Sequence, residues 1–428
     1  MTENINIEAT VKQSPREKLV ESLDQGDFTA WSNHAASTKA RQTFGELDFP
    51  TTRMEAWKYT RTTRLQNVPW SIQPSNISPE GSEFSIPGLN ALRIVFVNGF
   101  YRSDLSDTRA EMGLVLSPEP SSEPGGNEFE NGADFFSTMN EGYCNGRFLV
   151  EVAEGAQLEM PLQLCFIQTG QDSIALPRIQ VRCANHSRLV LITSFHSHAA
   201  KKTFINAHFD VEIGMNASLD WTKLQLEKGE SSSITREWVN QQQDSRLNIR
   251  TITVDGEWVR NDLQIRLSGT NCETFLSGVY MPRDQQLVDN HTMVDHRMPH
   301  CNSNELYKGV VFDSARAVFN GKVFVRKDAQ KTNAFQSNGN ILMSDQAIVD
   351  SKPELEIYAD DVKCSHGSTT GQLDDEAMFY LRARGLGFES ARKLLLTAFV
   401  NEVLETIEHE AIQHFVRDQF IQRGLLIE

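Results

Sequence analysis

The stretch RAVFNGKVFV, from Arg316 to Val325, decides the fold class predicted for this chain. Apolar and polar residues alternate along it, which is the pattern of a strand with one buried face. Similar runs, separated by polar turns, recur from about residue 148 to residue 358, for example RLVLITSF, RLNIRTITV, ETFLSGVYM and ELEIYADDV. No helical periodicity interrupts this region, so the sequence predicts a mainly β protein.

A weak repeat runs through the same region. A small polar turn precedes an alternating strand at Glu154, Asn185, Asn216, Asp244, Asn271, Asp313 and Asp345. Most of the steps are about 30 residues, which is typical of a solenoid whose coils bury their apolar faces against one another. A large antiparallel sandwich would instead place its strands roughly 8 to 12 residues apart. The repeat therefore favours a parallel β-helix.

Helical patterns flank this core on both sides. Near the N-terminus, Pro15 suits a first helical turn after Ser14. The segment RMEAWKYT, from Arg53 to Thr60, carries aromatic residues that would anchor a small helical unit. We therefore expect a helical region over residues 1–85, a β-helix core over residues 86–372 and a second helical region over residues 373–428.

The C-terminal region predicts consecutive helices. Asp374 is the expected cap of the first helix, Gly385 ends it, and a longer helix follows over about residues 389–407. Apolar positions of the longer helix cover more than one stripe, which predicts packing both on the β-core and on a partner. The residues expected on that face are Leu394, Leu395, Ala398 and Phe399.

Composition and charge exclude several classes of protein. The formal net charge is -16, and nucleic-acid binding needs a basic footprint that this sequence lacks. The beginning of the chain contains no apolar run of signal-peptide length. The run LLLTAFV is far shorter than the ~20 residues that span a bilayer. We therefore expect a cytoplasmic protein with no membrane segment.

The stretch VKCSHG contains the first candidate metal site. In an extended strand, Cys364 and His366 face the same side, about 6.6 Å apart at roughly 3.3 Å per residue. The neighbouring Lys363 would favour the thiolate form of the cysteine. A thiol and an imidazole are only two ligands, and the six cysteines of the chain form no close pair. The other ligands would have to come from the fold or from a second chain; the alternative is a surface loop.

A second cluster of possible ligands occupies DNHTMVDHRMPHCNSNE, from Asp289 to Glu305. Its His296, His300 and Cys301 are candidate metal ligands. The spacing matches neither HExxH nor a zinc finger, and strand alternation would divide the side chains between core and solvent. Buried, hydrogen-bonded histidines are the alternative interpretation.

Three segments together resemble the SufB/SufD family of iron-sulfur cluster assembly scaffolds. They are RMEAWKYT, the block HTMVDHRMPHCNSNELYKGVVFDSARAVFNGKVFVRKDAQKTNAFQSNGNILMS, and PELEIYADDVKCSHGSTTGQLDDEAMFYLRARGL. The likeness is dense over residues 285–400. The length, the motif KCSHG and the absence of cysteine pairs near the N-terminus are similar to the SufD branch of that family.

The resemblance implies a fold, partners and a site. It implies a right-handed parallel β-helix between helical regions, in a non-catalytic scaffold that forms a heterodimer with SufB and docks the ATPase SufC on its C-terminal helices. His366 would meet a SufB cysteine where a nascent iron-sulfur cluster forms, with Cys364 as a lesser candidate. A reduced flavin in the complex, sulfur donor proteins that reach it and a homodimer of the isolated chain are further implications.

Two other functions remain open from the sequence. A β-helix can act on polysaccharides with acids and bases on its outer face, for which Asp360, Asp361 and Lys363 are the candidates. No Walker A, GxGxxG or GxSxG motif is present to support nucleotide binding or serine hydrolysis. A homodimeric metal-binding module is the third possibility.

Overall fold

The computed structural model describes residues 13–26, 35–75, 84–109, 111–118 and 134–427. Its α-helices are α1 (Pro15–Asp24), α2 (Ala35–Phe44), α3 (Phe135–Tyr143), α4 (Asp375–Ala383), α5 (Phe388–Leu404) and α6 (Glu410–Gln422). Short 3-10 helices span Glu55–Trp57 and Thr63–Leu65.

Strands account for 45% of the structure and helices for 19%, so the protein is mainly β, as predicted. The strands are β1 (Leu92–Val97), β2 (Phe100–Tyr101), β3 (Leu114–Pro118), β4 (Gly146–Val152), β5 (Leu162–Gln171), β6 (Ile174–Ala175), β7 (Pro177–Cys183), β8 (Arg188–Lys201), β9 (Thr203–Ile213), β10 (Ser218–Gln225), β11 (Ser231–Gln241), β12 (Arg246–Thr253), β13 (Trp258–Leu267), β14 (Glu273–Tyr280), β15 (Leu287–His296), β16 (Asn302–Val311), β17 (Arg316–Val325), β18 (Asn333–Leu342), β19 (Ile348–Ile357) and β20 (Lys363–Gly371).

Within the described residues, these strands form two long sheets. The first sheet has the order β2-β1-β5-β8-β10-β12-β14-β16-β18-β20, and the second has the order β19-β17-β15-β13-β11-β9-β7-β4-β3. Neighbouring strands are parallel except β1 with β2 and β3 with β4. The chain passes from one sheet to the other in each coil, and about eight turns stack into a β-solenoid. The predicted parallel β-helix is confirmed.

The stretch from Arg316 to Val325 forms β17 and shows why the sequence adopts this fold. Phe319 and Val323 are buried on the inner side of the strand. Asn320 and Lys322, on the outer side, remain partly exposed. Because a single coil cannot cover its inner side chains, each coil is stabilised by its neighbours, β15 and β19 in this case.

The turns at one corner of the solenoid form a ladder of their own. The backbone N–H groups of successive turns donate to the following coil, and each donor residue has a φ between 52° and 63°. These donors are His186, Asn216, Asp244, Asn271, His300 and Lys331. The predicted repeat follows this corner only as far as Asn271, because Asp313 and Asp345 lie at the opposite corner, before strands of the second sheet. The long interval of the predicted repeat, from Asn271 to Asp313, therefore joined two different corners.

The interior changes character along the solenoid. Phe96, Phe166 and Phe195 occupy one ladder position and stack with ring centroids 4.9 and 5.0 Å apart. We call these three residues the aromatic end. Buried polar inner side chains begin in the middle of the solenoid, for example Lys223 and Gln225 of β10, and one group of them lies near its other terminus, in β16 and β18. We call this group the polar end; it consists of Glu305, Gln336, Asn338 and Asn340.

The N-terminal segment is anchored on the outer face of the second sheet. Trp57 is buried against Phe136, with ring centroids 5.3 Å apart, and the Arg260 guanidinium lies 3.9 Å from the Trp57 ring centroid. Arg260 also donates to Asp289, 2.8 Å away. Trp57 of the RMEAWKYT segment is therefore an anchor, as predicted, although it belongs to a 3-10 helix.

The C-terminal helices cover the outer face of the first sheet. Asp374 caps α4 by accepting from the N–H groups of Glu376 and Ala377. Residues of α5 and α6 share an apolar cluster with outward-facing residues of the sheet; they include Ile192, Leu224, Ile252, Val279, Val310, Leu396, Val400, Val403, Ile412 and Phe420. Among the described helices, none combines the length and the apolar character that crossing a membrane requires.

Candidate functional site

The solenoid finishes in β19 and β20, and among the described residues each pairs with a strand on one side only. β19 pairs with β17, and β20 pairs with β18. We call these two strands the open end, because their outer edges present unpaired backbone N–H and C=O groups. Ile357 and Tyr358 at this end are 40% and 59% exposed, and almost every residue of β20 is exposed.

The ladder between β18 and β20 orients the first candidate pair. Cys364 is the register partner of Ala334, and His366 is the register partner of Gln336. Ala334 and Gln336 are buried, whereas Phe335 between them is 45% exposed on the outer side. Because paired residues of parallel strands share a side, Cys364 and His366 both lie on the inner side of the last coil; their spacing had predicted only that they share a side.

Cys364 is half-buried and packs with an apolar cluster that includes Val323, Val325 and Ala359. Burial raises the pKa of the Cys364 thiol, while the backbone N–H of Ala334 opposes that shift. The sequence had predicted that Lys363 would favour the thiolate, and that prediction is wrong for the isolated chain. A metal that binds Cys364 must therefore displace its proton.

His366 lies two residues further along β20 and is exposed. Among the described residues, no side chain forms a hydrogen bond or ion pair with its ring in the isolated chain. A neutral imidazole with a free ring nitrogen is a common metal ligand. The open end therefore presents a thiol and an imidazole on one side of one strand.

The second predicted cluster has a different environment at each residue. His296 is fully buried, its Nε2 lies 2.9 Å from Ser303 Oγ, and burial lowers its pKa to about 4. His300 is exposed in a corner turn, and Cys301 is buried with its Sγ 3.3 Å from the Gly269 carbonyl oxygen. In the part of the chain that the structure describes, no three His, Cys, Asp or Glu side chains are grouped to hold a metal ion.

The predicted docking face on α5 divides between two environments. Leu394 and Ala398 are exposed, and Leu395 is half-buried. Phe399 instead faces the solenoid, where the Lys308 ammonium lies 4.5 Å from its ring centroid. The exposed surface continues onto residues that sequence reasoning had not assigned to docking; they are Phe379, Tyr380, Leu386 and Phe388.

The residues proposed for a polysaccharide-active enzyme lie around the turn that precedes β20. Asp360, Asp361 and Lys363 are all exposed. Asp361 forms an ion pair with Lys331 of the previous coil, and its backbone N–H donates to Gln330. Asp361 therefore joins two neighbouring coils of the solenoid.

The fold and site together define a class: a β-solenoid whose last coil exposes possible soft-metal ligands, with a helical module on its flank. Residues 166–399 match the family model described as SUF system FeS cluster assembly, SufBD core domain. The chain is 32% identical over 394 residues to the iron-sulfur cluster assembly protein SufD of Escherichia coli, covering 90% of this chain and 93% of that protein.

Two further relatives match over nearly the whole chain. An iron-sulfur cluster assembly SufBD family protein of Synechocystis is 27% identical over 95% of this chain and 95% of its own length. A chloroplastic protein of Arabidopsis thaliana is 27% identical over 96% of this chain and 90% of its own length. The chain belongs to the SufBD family of the SUF iron-sulfur cluster assembly system and is SufD-like.

Proposed function

We propose that this chain is a scaffold subunit that pairs with SufB through its open end, docks the ATPase SufC on α4 and α5, and helps to build nascent iron-sulfur clusters for transfer to apo-proteins. The observation that carries the proposal is that a half-buried Cys364 and an exposed His366 share one side of an edge strand that pairs with a neighbour on one side only. The subunit holds and positions the cluster and does not itself catalyse a reaction. The proposed location is the cytoplasm, as the sequence predicted.

The unpaired edges support a partner at this end. A long exposed edge strand is a template for strand addition, because its backbone groups can extend the sheet into another chain. Both sheets finish at the same coil, so a partner with a similar end could continue both sheets together. Such a partner would also cover Ile357 and Tyr358. SufB is the proposed partner, and a second copy of this chain is the alternative occupant when SufB is absent.

The chemistry of the site supports a shared cluster. Iron-sulfur clusters are held mostly by thiolates, with histidine as an alternative ligand, and commonly use four protein ligands. Cys364 and His366 could supply at most two of these. In the proposal, SufB supplies the remainder, with sulfur from donor proteins that reach the complex. The proposal also includes a reduced flavin in the complex, and only the family resemblance supports that part.

The exposed apolar surface of α4 and α5 supports the docking of SufC. Phe379 is 76% exposed and Phe388 is 51% exposed, although large apolar side chains usually lie inside. Leu394 continues this surface on α5. The opposite side of α5 is occupied by the solenoid, through residues such as Leu396 and Val400. The sequence predicted packing of this helix on the β-core and on a partner; the core side is observed, and the partner side is part of the proposal.

The cluster site is tested by His366→Ala in a complex co-expressed with SufB and SufC. We expect the complex to assemble and its bound iron and sulfide to fall to background. His414→Ala is the matched control, because His414 is an exposed histidine on α6, away from β20. Wild-type amounts of iron and sulfide in the His366→Ala complex would remove the assignment.

The docking surface is tested by Phe379→Glu and Leu394→Glu, each scored by co-purification of SufC. We expect SufC to be lost while the chain remains folded, since both side chains are exposed. Phe275→Glu is the control, because Phe275 is 44% exposed on a solenoid strand. Retention of SufC by both variants would show that it docks elsewhere.

A further inference from the structure

One inner ladder position of the first sheet leads to His366. Its residues are register partners in successive coils: Leu191, Trp221, Ile249, Leu276, Glu305, Gln336 and His366. We call this series the His366 column. Its first four members are apolar and buried, and the change to polar side chains occurs at Glu305, two coils before the exposed histidine.

Hydrogen bonds orient the buried Gln336 side chain. Its Nε2 donates to Glu305 Oε2, 2.7 Å away, and Thr292 Oγ1 donates to Glu305 Oε1, 2.6 Å away. In this arrangement the NH₂ group of Gln336 is the end that faces the carboxyl group of Glu305. Burial raises the pKa of Glu305 to about 7, against the opposing effect of these two donors. The amide oxygen of Gln336 therefore points away from the carboxylate.

The opposite sheet leaves room for this arrangement. A Cβ at Gly321 of β17 would overlap the Nε2 of Gln336. A side chain at position 321 would therefore displace the Gln336 amide from its place in the interior. The space left at Gly321 and the hydrogen bond that Gln336 donates to Glu305 both define the position of the Gln336 amide.

The amide oxygen of Gln336 has no hydrogen-bond partner although the residue is only 3% exposed. An unsatisfied buried acceptor costs free energy and calls for an explanation. His366 is the next residue of the column, on the same side of a neighbouring strand about 4.8 Å away. In this column His366 is therefore the residue whose ring N–H could satisfy the Gln336 oxygen.

We propose that Gln336 is a positioning residue for His366: its Oε1 accepts one ring N–H of His366 while the other ring nitrogen binds iron. Metal-binding histidines almost always donate their second N–H to such an acceptor, which sets the tautomer and the ring orientation. Glu305 and Thr292 hold the amide in the accepting orientation. The inference rests on the proposed function, because it takes His366 as a cluster ligand.

The test uses Gln336→Met, which keeps the length of the side chain and removes the amide. In the co-expressed complex we expect its bound iron and sulfide to fall roughly tenfold, the lower end of the effect of losing such an acceptor. Gln336→Glu, which keeps an oxygen acceptor and can share one proton with Glu305, should restore most of the cluster. Gln168→Met is the control, because Gln168 is a buried glutamine whose Nε2 donates to the Phe204 carbonyl in a distant coil.

A second readout separates positioning from simple packing. In the reduced, EPR-active cluster with ¹⁵N-labelled histidine, the coupling of the His366 nitrogen should change in Gln336→Met and return in Gln336→Glu. If His366→Ala abolishes the cluster while Gln336→Met matches the wild type in iron, sulfide and coupling, the positioning role fails and the proposed function stands. If His366→Ala leaves the cluster intact, the proposed function itself fails.

Discussion

The aromatic end and the polar end are built on the same ladder but are filled in opposite ways. The position held by Phe96, Phe166 and Phe195 is held by Tyr280 and Asn340 several coils later. Stacked phenylalanines need no partners beyond close packing, whereas every buried polar group needs a hydrogen bond. The comparison shows that a polar interior is not required by the fold. The part of the polar interior next to the open end includes Gln336, the register partner of His366.

Among the changes that test this comparison, Phe166→Ala should cause the largest loss of stability, because it removes the middle ring of the aromatic stack. We expect the free energy of unfolding to fall by about 4 kcal/mol, as for other buried Phe to Ala changes. Asn340→Ala at the same ladder position is the matched variant and should cost about 2 kcal/mol, because it leaves the buried Tyr280 hydroxyl without its acceptor. Denaturant unfolding followed by circular dichroism measures both. Equal losses would mean that the two ends are stabilised alike.

The pH dependence of stability sharpens the comparison at the polar end. The pKa of Glu305 is raised by burial to about 7, above its ordinary value, so the folded protein holds this proton more tightly than the unfolded chain. Below about pH 4.5, the bound proton adds on the order of 3 kcal/mol to the free energy of unfolding. This contribution is lost as the pH rises through 7.

Glu305→Gln should therefore flatten the change in unfolding free energy between pH 5 and pH 8 relative to the wild type. Altered hydrogen bonds could lower the stability by the same amount at every pH, and such a loss does not affect this change with pH. Parallel curves for the two proteins would show that Glu305 does not titrate in that range.

Gly309→Ala tests the packing between coils at the polar end. An added Cβ would overlap the Tyr280 ring and the Asn340 side chain, so we expect a loss of about 2 kcal/mol from overpacking. Gly371→Ala is the control, because open space surrounds Gly371 in β20. A Gly309→Ala protein as stable as the control would indicate a loosely packed interior at this end.

Lys352→Ala should have the smallest effect. Lys352 Nζ lies 2.6 Å from Glu55 Oε1 and 2.8 Å from Glu354 Oε1, but all three side chains are at least one-third exposed. Water and salt screen such pairs, so the unfolding midpoint should stay within error of the wild type. A clear shift that disappears in high salt would show that surface charges also stabilise the last coil.

The parts of the fold that were predicted correctly depend on local patterns. Alternation identified β17, and a capping side chain identified the start of α4 at Asp374. The corner ladder was followed only to Asn271, because the left-handed positions of the next two turns are held by His300 and Lys331 and not by an acid or an amide. Polar residues occur at left-handed positions of both corners, so their spacing alone could not separate the two corners.

The candidate site was predicted only in part, for a related reason. Cys364 and His366 are close in sequence, so their shared side followed from strand geometry. Gln336 and Glu305 lie about 30 and 60 residues earlier, at the coil repeat of a solenoid. The available signal for each of them was a polar residue at an inner position of an alternating strand. That signal does not show which residue of a neighbouring coil lies next to it. In α5, the sequence likewise could not separate Phe399, which faces the solenoid, from the exposed Leu394.

By itself, the sequence determined a mainly β fold with flanking helices, favoured a solenoid, and placed a thiol and an imidazole on one side of their stretch if that stretch is extended. Alternation and capping depend on neighbours along the chain, so these features can be read locally. Only the tertiary structure decided that β20 is an uncovered last strand and that Gln336 lies beside His366. The way each turn closes sets the register between coils, and that register brings together residues that are far apart in sequence.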